Sequence, residues 1–415
     1  MQNIIIRRIY LKVKDVKYIR FFYKFILNIH QKTCASSKTS SRASTKIKIK
    51  VHSGMERMVN TLSHLGIGLL IALFLGFKGK KRNAIGFLAI LPDLDFIPYI
   101  LFAVASGGVS HETRTRLFYL LGHREFMHSI LFILLVTLLI WLKTKDRLFT
   151  AAGFAAIFSH IYLDYTTSWK MRPLYPFSTD ASIMGAVYFF DPLANLLPLL
   201  PIFVLLVAYM KDRGKWQGKF NKFCAFVANN RSRFYTTLAV VLVVWLTVLP
   251  VAKLFLVNYI SDAEGAKISY QETYPSSFGK FLAAYPYNST HYKILEVSYW
   301  SGIEKSGYIE KINVTGDVPD ASVYVERAGK LYSTAVPQDI DYPAYSVSEE
   351  NGLVTVTLSD ARNPYVKYWA YFKTVYRFVF DRESGEYVAY ARMQGEREER
   401  LEKNWFGETS YYKIS

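Results

Sequence analysis

Residues 126–142 read FMHSILFILLVTLLIWL. After His128 and Ser129 the stretch continues to Leu142 without a charge. A soluble helix of this length would show a polar face, and this one has none. A membrane-spanning helix needs about 20 apolar residues, with a range of ~17–25. Comparable runs lie on both sides, at 61–77, 84–105, 148–165, 186–210 and 234–257. Together they predict an all-α polytopic bundle of about six transmembrane helices. In one run, ILPDLDFIP, Pro92 and Pro98 bracket Asp93 and Asp95. Prolines remove ladder hydrogen bonds, so a broken helix lining a cavity is expected there.

The charge of the chain follows this layout. Its 415 residues carry a formal +18, which by itself invites a nucleic-acid reading. Residues 1–54 hold 13 Lys and Arg against one acid, residues 55–258 hold 21 against 10, and residues 259–415 hold 17 against 22. The excess is therefore divided among three unlike pieces, and no nucleic-acid partner is expected. The segment 1–54 reads as a basic N-terminal extension, either an arm on anionic lipid or a stretch preceding a native start at Met55. In the middle piece, Lys and Arg concentrate at 78–82, 143–147 and 211–233. The positive-inside rule makes those connections cytoplasmic. The expectation is a multi-pass protein of the cell membrane whose part after Asn258 is extracytoplasmic. Cys34 and Cys224 are the only cysteines, too few for a disulfide framework or a multi-cysteine zinc site.

From 259 to 415 the composition changes. Stretches such as HYKILEVSYW, GYIEKINV, ASVYVERAGKLYS, GLVTVTLSD and GEYVAYARM alternate or are rich in β-branched and aromatic residues. Turn signals at 318–320, 349–352 and 381–385 separate them. An antiparallel β-rich domain is expected, with EREERLEK at 396–403 as a solvated helical turn.

The candidate chemistry lies in about one hundred residues of the middle piece. Five of the eight histidines, His64, His111, His123, His128 and His160, fall between 64 and 160. Ionised Asp at membrane depth is costly unless it is paired or bound, so Asp93, Asp95 and Asp164 need a reason. His160 and Asp164, at i and i+4, share a helix face and can point at one ion. His and carboxylate together suit Zn²⁺ or a similar divalent ion. His123 and His128 lie ~140° apart on a helix, which predicts His123 on a loop and His128 in a first helical turn. His64 is expected to begin the first helix. His111, in a polar loop, reads as structural. Asp191 before Pro192 reads as a helix N-cap. Arg124 suits either a bidentate phosphate contact or a headgroup anchor.

The segments SHLGIG, PDLD, HREFMHS and SHIYLD, in this order, resemble the YdjM-type membrane-bound metal-dependent hydrolases over residues 60–210. The order His, Asp, His, His-x-x-x-Asp is also similar to zinc-dependent phospholipase C and P1-type nucleases. This resemblance implies metal ligands among His64, Asp93, Asp95, His123, His128, His160 and Asp164, for one or two ions, with His123 and His128 as alternatives. It also implies that Asp93 or Asp95 acts as the base and that Arg124 carries phosphoryl charge. Further downstream ligands of the phospholipase-like enzymes have no histidine here, since none follows His160 in this region. The expected activity is hydrolysis of a phosphoester, a phospholipid or lipid-linked phosphate, near the outer membrane face. The alternative is a divalent-metal or proton-coupled transporter using the same Asp/His cluster. The absence of a second PDLD-like or HREFMHS-like segment counts against that reading.

Overall fold

The computed structural model describes residues 52–105, 109–167, 170–213, 221–335, 338, 340–365, 374–394 and 397–400. The basic extension lies outside the described residues as far as residue 51. Helix α1 (His52–Phe74) is followed by α2 (Gly79–Leu88), a 3-10 turn at Pro92–Asp95, α3 (Phe96–Ala105) and α4 (His111–Leu121). A second 3-10 turn at Phe126–His128 leads into α5 (Ile130–Thr144) and α6 (Arg147–Thr166). After a long loop come α7 (Pro192–Leu196), α8 (Leu199–Asp212), α9 (Asn221–Asn229) and α10 (Arg231–Glu264).

Local chemistry sets these boundaries. The Ser129 hydroxyl caps α5 by accepting from the Phe132 amide, and Asp146 caps α6 by accepting from Phe149. Asp191 caps α7 through the Ala194 amide, with Pro192 in the first turn. α1 begins twelve residues before His64, so His64 lies inside this helix and does not start it. The residues ahead of it, including Met55, Glu56, Arg57 and Met58, are good helix formers and extend it backward.

Among the described residues two to four candidate spans stand where six were expected. Two helices, Pro192–Asp212 and Arg231–Glu264, are long and apolar enough to cross a membrane. Two pairs are bent, by 56° between Gly79–Leu88 and Pro92–Phe102, and by 67° between His111–His128 and Ile130–Thr144. Counting each pair as one span gives up to four among the described residues, and Thr61–Phe74 is a shorter apolar helix. The reason is chemical. The second run is broken as expected, but at Pro92 and not by ending at Pro98, which lies in the first turn of α3 where a proline is tolerated; α6 carries Ser159, His160 and Asp164 within its apolar length.

Three helices converge closely because small residues let them. Ala152 and Ala156 of α6 are fully buried with Ile85 of α2 and Ala89, which caps its C-terminus. A Cβ on Gly68 of α1 would fall 2.5 Å from the Ala89 Cβ, and one on Gly66 would fall 1.9 Å from the Pro198 carbonyl oxygen. Gly66→Ala therefore forces backbone apart, and a loss of ~1–3 kcal/mol is expected. Thermal unfolding in detergent checks this, and an unchanged midpoint would contradict the packing.

The C-terminal part contains two sheets. One has four antiparallel strands in the order β1 (Tyr274–Ser277), β2 (Lys280–Pro286), β3 (His291–Ser298), β4 (Gly302–Glu310). The other has six, in the order β10-β9-β8-β7-β6-β5. These are β5 (Ile312–Thr315), β6 (Pro343–Glu350), β7 (Leu353–Asp360), β8 (Thr374–Asp381), β9 (Tyr387–Gln394) and β10 (Arg397–Arg400). The domain is β-rich as expected, with three corrections. ASVYVERAGKLYS is a helix, α11 (Ala321–Ser333), whose buried Tyr324, Val325, Ala328, Leu331 and Tyr332 follow helical spacing. Because that helix intervenes, β5 pairs with β6 in parallel; a parallel pair requires such a crossover. Residues 397–400, expected in a helical turn, pair as β10 with β9.

Candidate metal centre

His160 is the fixed point of the site. Its Nδ1 lies 2.7 Å from the Ala89 carbonyl oxygen. A carbonyl only accepts, so Nδ1 carries the proton and Nε2 presents its lone pair inward. The small-residue packing of α6 on α2 is what brings Ala89 within reach. One turn on, the Asp164 carboxylate reaches the same space, with Oδ2 4.0 Å from His160 Nε2. The 3-10 turn before α5 brings His128 Nε2 to 3.2 Å from His160 Nε2 and 3.6 Å from Asp164 Oδ2. From the turn at Pro92, Asp93 Oδ1 lies 3.6 Å from His160 Nε2. The other Asp93 oxygen accepts from the Thr61 hydroxyl at 2.8 Å.

One atom each from Asp93, His128, His160 and Asp164 thus lies within 4.8 Å of every other. Zn–N and Zn–O bonds of about 2.0–2.2 Å in a tetrahedron place ligand atoms about 3.3–3.6 Å apart. The observed separations bracket that value. The surroundings also fit a cation. Both Asp164 oxygens are buried and are approached by side-chain nitrogens, His64 Nε2 at 3.3 Å from Oδ1 and Arg124 Nη2 at 3.2 Å from Oδ2. A buried carboxylate calls for positive charge, and these four atoms could hold a divalent ion that supplies it.

Around the four stands a supporting layer. Asp95 is buried and anchors three groups: His128 Nδ1 at 3.1 Å, His123 Nδ1 at 2.7 Å and the Arg124 amide at 2.7 Å. A carboxylate behind a histidine fixes the ring and turns its other nitrogen toward an ion. His64 stacks on His160 with ring centroids 3.7 Å apart, and its Nε2 is 3.3 Å from Asp164 Oδ1. His123 sits on the loop, its side chain 41% exposed at the rim. Arg124 has φ 67°, a left-handed conformation that a non-glycine residue adopts at a cost, and its Nη2 lies 3.2 Å from Asp164 Oδ2. Of the seven candidate ligands, the structure gathers four around one point and places His64, Asp95 and His123 against them. His111 is at the start of α4, outside this cluster.

Three further contributors were not singled out in the sequence. Thr61 supports Asp93, and its position three residues before His64 on one helix face was the available signal. The Ala89 carbonyl carries no side-chain signal at all. Glu125 forms a buried pair with Arg172 at 2.6 Å, which ties the His123–His128 turn to the loop after α6. Asp95→Asn is expected to lower metal affinity about 10–100-fold while leaving the fold intact. Competition with a chelator reads this, and wild-type affinity in the variant would remove Asp95 from the supporting layer.

Residues 58–256 match the model of the YdjM inner membrane protein family, and the whole cluster lies inside that span. No curated protein and no solved structure matches the chain.

Proposed function

We propose that this chain is a membrane-bound metal-dependent hydrolase acting on a phosphoester, a phospholipid or a lipid-linked phosphate. The observation that carries the reading is the set of four donor atoms, two imidazole nitrogens and two carboxylate oxygens, closing on one buried point. Two imidazoles and two carboxylates suit Zn²⁺. Such an ion supplies Lewis acidity and lowers the pKa of water toward about 7.

The rest is done by the side chains. His160, locked by Ala89, and His128, backed by Asp95, hold the ion through fixed nitrogens. Asp93, half-buried at the edge of the cluster and braced by Thr61, is the one of the four that would leave the ion's fourth position to water and take the water's proton, with His128, His160 and Asp164 as the three holding ligands. Asp95 is engaged by three donors, which suits orientation more than proton transfer. Arg124, its guanidinium beside Asp164, provides a planar donor fork for phosphoryl oxygens. His123, exposed at the rim and bonded to Asp95, lines the solvent side of the site.

The basic connection Lys143–Arg147 precedes α6, and the metal-binding face lies near its other end. His160 is thirteen residues from Arg147, about 20 Å along the helix. This supports a site in the extracytoplasmic half of the membrane, with the β-rich part on that side. The test is metal analysis of the purified protein together with hydrolysis of phosphodiester reporters and phospholipid vesicles. Bound zinc with metal-dependent turnover supports the proposal. Ion flux into vesicles without turnover would replace it with transport.

A further inference from the structure

We infer that two hairpin tips of the β-rich part are themselves immersed in the bilayer, at the depth of the metal centre. The β1–β2 turn carries Phe278, 44% exposed, and the β3–β4 turn carries Trp300, 70% exposed. The two rings touch edge to face at 6.3 Å, and Phe278 stacks on Trp245 of α10 at 6.2 Å. The neighbouring Tyr299 donates its hydroxyl to the Leu249 carbonyl of α10. Trp300 packs over Gly279 so tightly that a Cβ there would fall 2.6 Å from its ring. The tips are therefore held against α10 at residues 245–249.

That contact point is deep within the apolar length of α10. From Arg233, twelve residues to Trp245 make about 18 Å, while the hydrocarbon core is about 30 Å thick. The exposed apolar face of α10 continues past the tips through Val248, Val251, Leu254, Phe255 and Tyr259. A membrane that covers this face also covers Phe278 and Trp300. The nearby charges are matched: Lys280 pairs with Glu304 at 2.5 Å. The Phe278 and Trp300 rings give the two turns an apolar surface at that depth. The metal centre lies at the same level, because Tyr162, between His160 and Asp164, donates its hydroxyl to the Leu246 carbonyl. The β-rich part would then set the height of the site in the membrane, and the partner of this surface is lipid.

The inference rests on α10 crossing the bilayer and does not depend on hydrolysis. The full chain, with Cys34 and Cys224 changed to Ser, is spin-labelled at Phe278→Cys or Trp300→Cys in phosphatidylcholine–phosphatidylglycerol vesicles. Val244→Cys on α10 and Tyr308→Cys on β4, both exposed, serve as references. At 278 and 300, collisions with oxygen are expected to exceed collisions with a neutral water-soluble nickel chelate, as at 244. A water-accessible ratio like that at 308 would overturn the inference. So would low access to both reagents, the mark of a covering protein. A water-accessible ratio at 244 would instead reject α10 as a span.

Discussion

Asp164→Asn should remove stoichiometric metal and lower phosphoester hydrolysis by ~10³-fold or more, on the basis of several kcal/mol of lost charge stabilisation at 1.36 kcal/mol per decade. The isosteric amide is the informative substitution. Asp164 is buried and is approached by His64 at 3.3 Å, Arg124 at 3.2 Å and His128 at 3.6 Å. Deleting the side chain would open a cavity and leave a buried guanidinium without its carboxylate, which can cost about 3–5 kcal/mol in stability. Asn keeps the volume and one acceptor oxygen while removing the charge that the ion requires. Metal content after exhaustive dialysis and turnover on a phosphodiester reporter should fall together. Full metal content with full turnover would dismantle the site. Loss of turnover with metal retained would remove Asp164 from the ligand set and place it in the chemistry instead.

The parts of the site readable from sequence were those set by helix periodicity. His160 and Asp164 are four apart, and that spacing alone places them on one face. The break at Asp93 was legible from Pro92. The division of labour between Asp93 and Asp95 was not, because one residue of separation in a 3-10 turn sends the two carboxylates to opposite sides. One faces His160, and the other faces His123 and His128. Nor could spacing choose between His123 and His128, since the turn around Arg124 depends on a left-handed residue that the sequence does not announce.

Hydropathy read the membrane character of the chain but overcounted its spans. The runs that fall out of the count are 61–77, whose apolar helix Thr61–Phe74 is short, and 148–165, whose helix carries His160 and Asp164, while the 84–105 run is bent by 56° at Pro92. In the C-terminal part, the amphipathic period of 321–333 was mistaken for strand alternation. Val323, Tyr324 and Val325 favour strands locally, and the burial of Ala328, Leu331 and Tyr332 against the six-stranded sheet decides for helix. Tertiary packing overrides propensity there.

The same limit applies to Arg362, whose importance no local pattern reveals. Its side chain is fully buried and donates to both oxygens of Asp360 and to Asp341, each at 2.7 Å. It also donates to the Glu272 carbonyl, and its guanidinium lies between the rings of Tyr274 and Tyr342 at 4.8 and 4.9 Å. Asp341 further binds Lys170, six residues beyond Asp164. Arg362, with Lys170 on the shared Asp341, thus connects the two sheets to the loop that leaves the helix carrying His160 and Asp164. Arg362→Met leaves two buried carboxylates short of their counter-ion, and a loss of ~3–5 kcal/mol is expected. Arg362→Lys should recover only part of it, since an ammonium cannot reproduce the fork. Burial alone would raise the Asp341 pKa, but Arg362 and Lys170 outweigh it and hold the carboxyl below its ordinary value of 3.8. A depressed carboxyl stabilises the fold above that value, and its contribution is lost as pH falls through the folded-state pKa. The wild type should therefore lose stability on acidification below about pH 4, and Asp341→Asn should flatten that loss. Thermal unfolding followed by tryptophan fluorescence measures both. A midpoint for Arg362→Met equal to that of the wild type would mean that the network stabilises nothing.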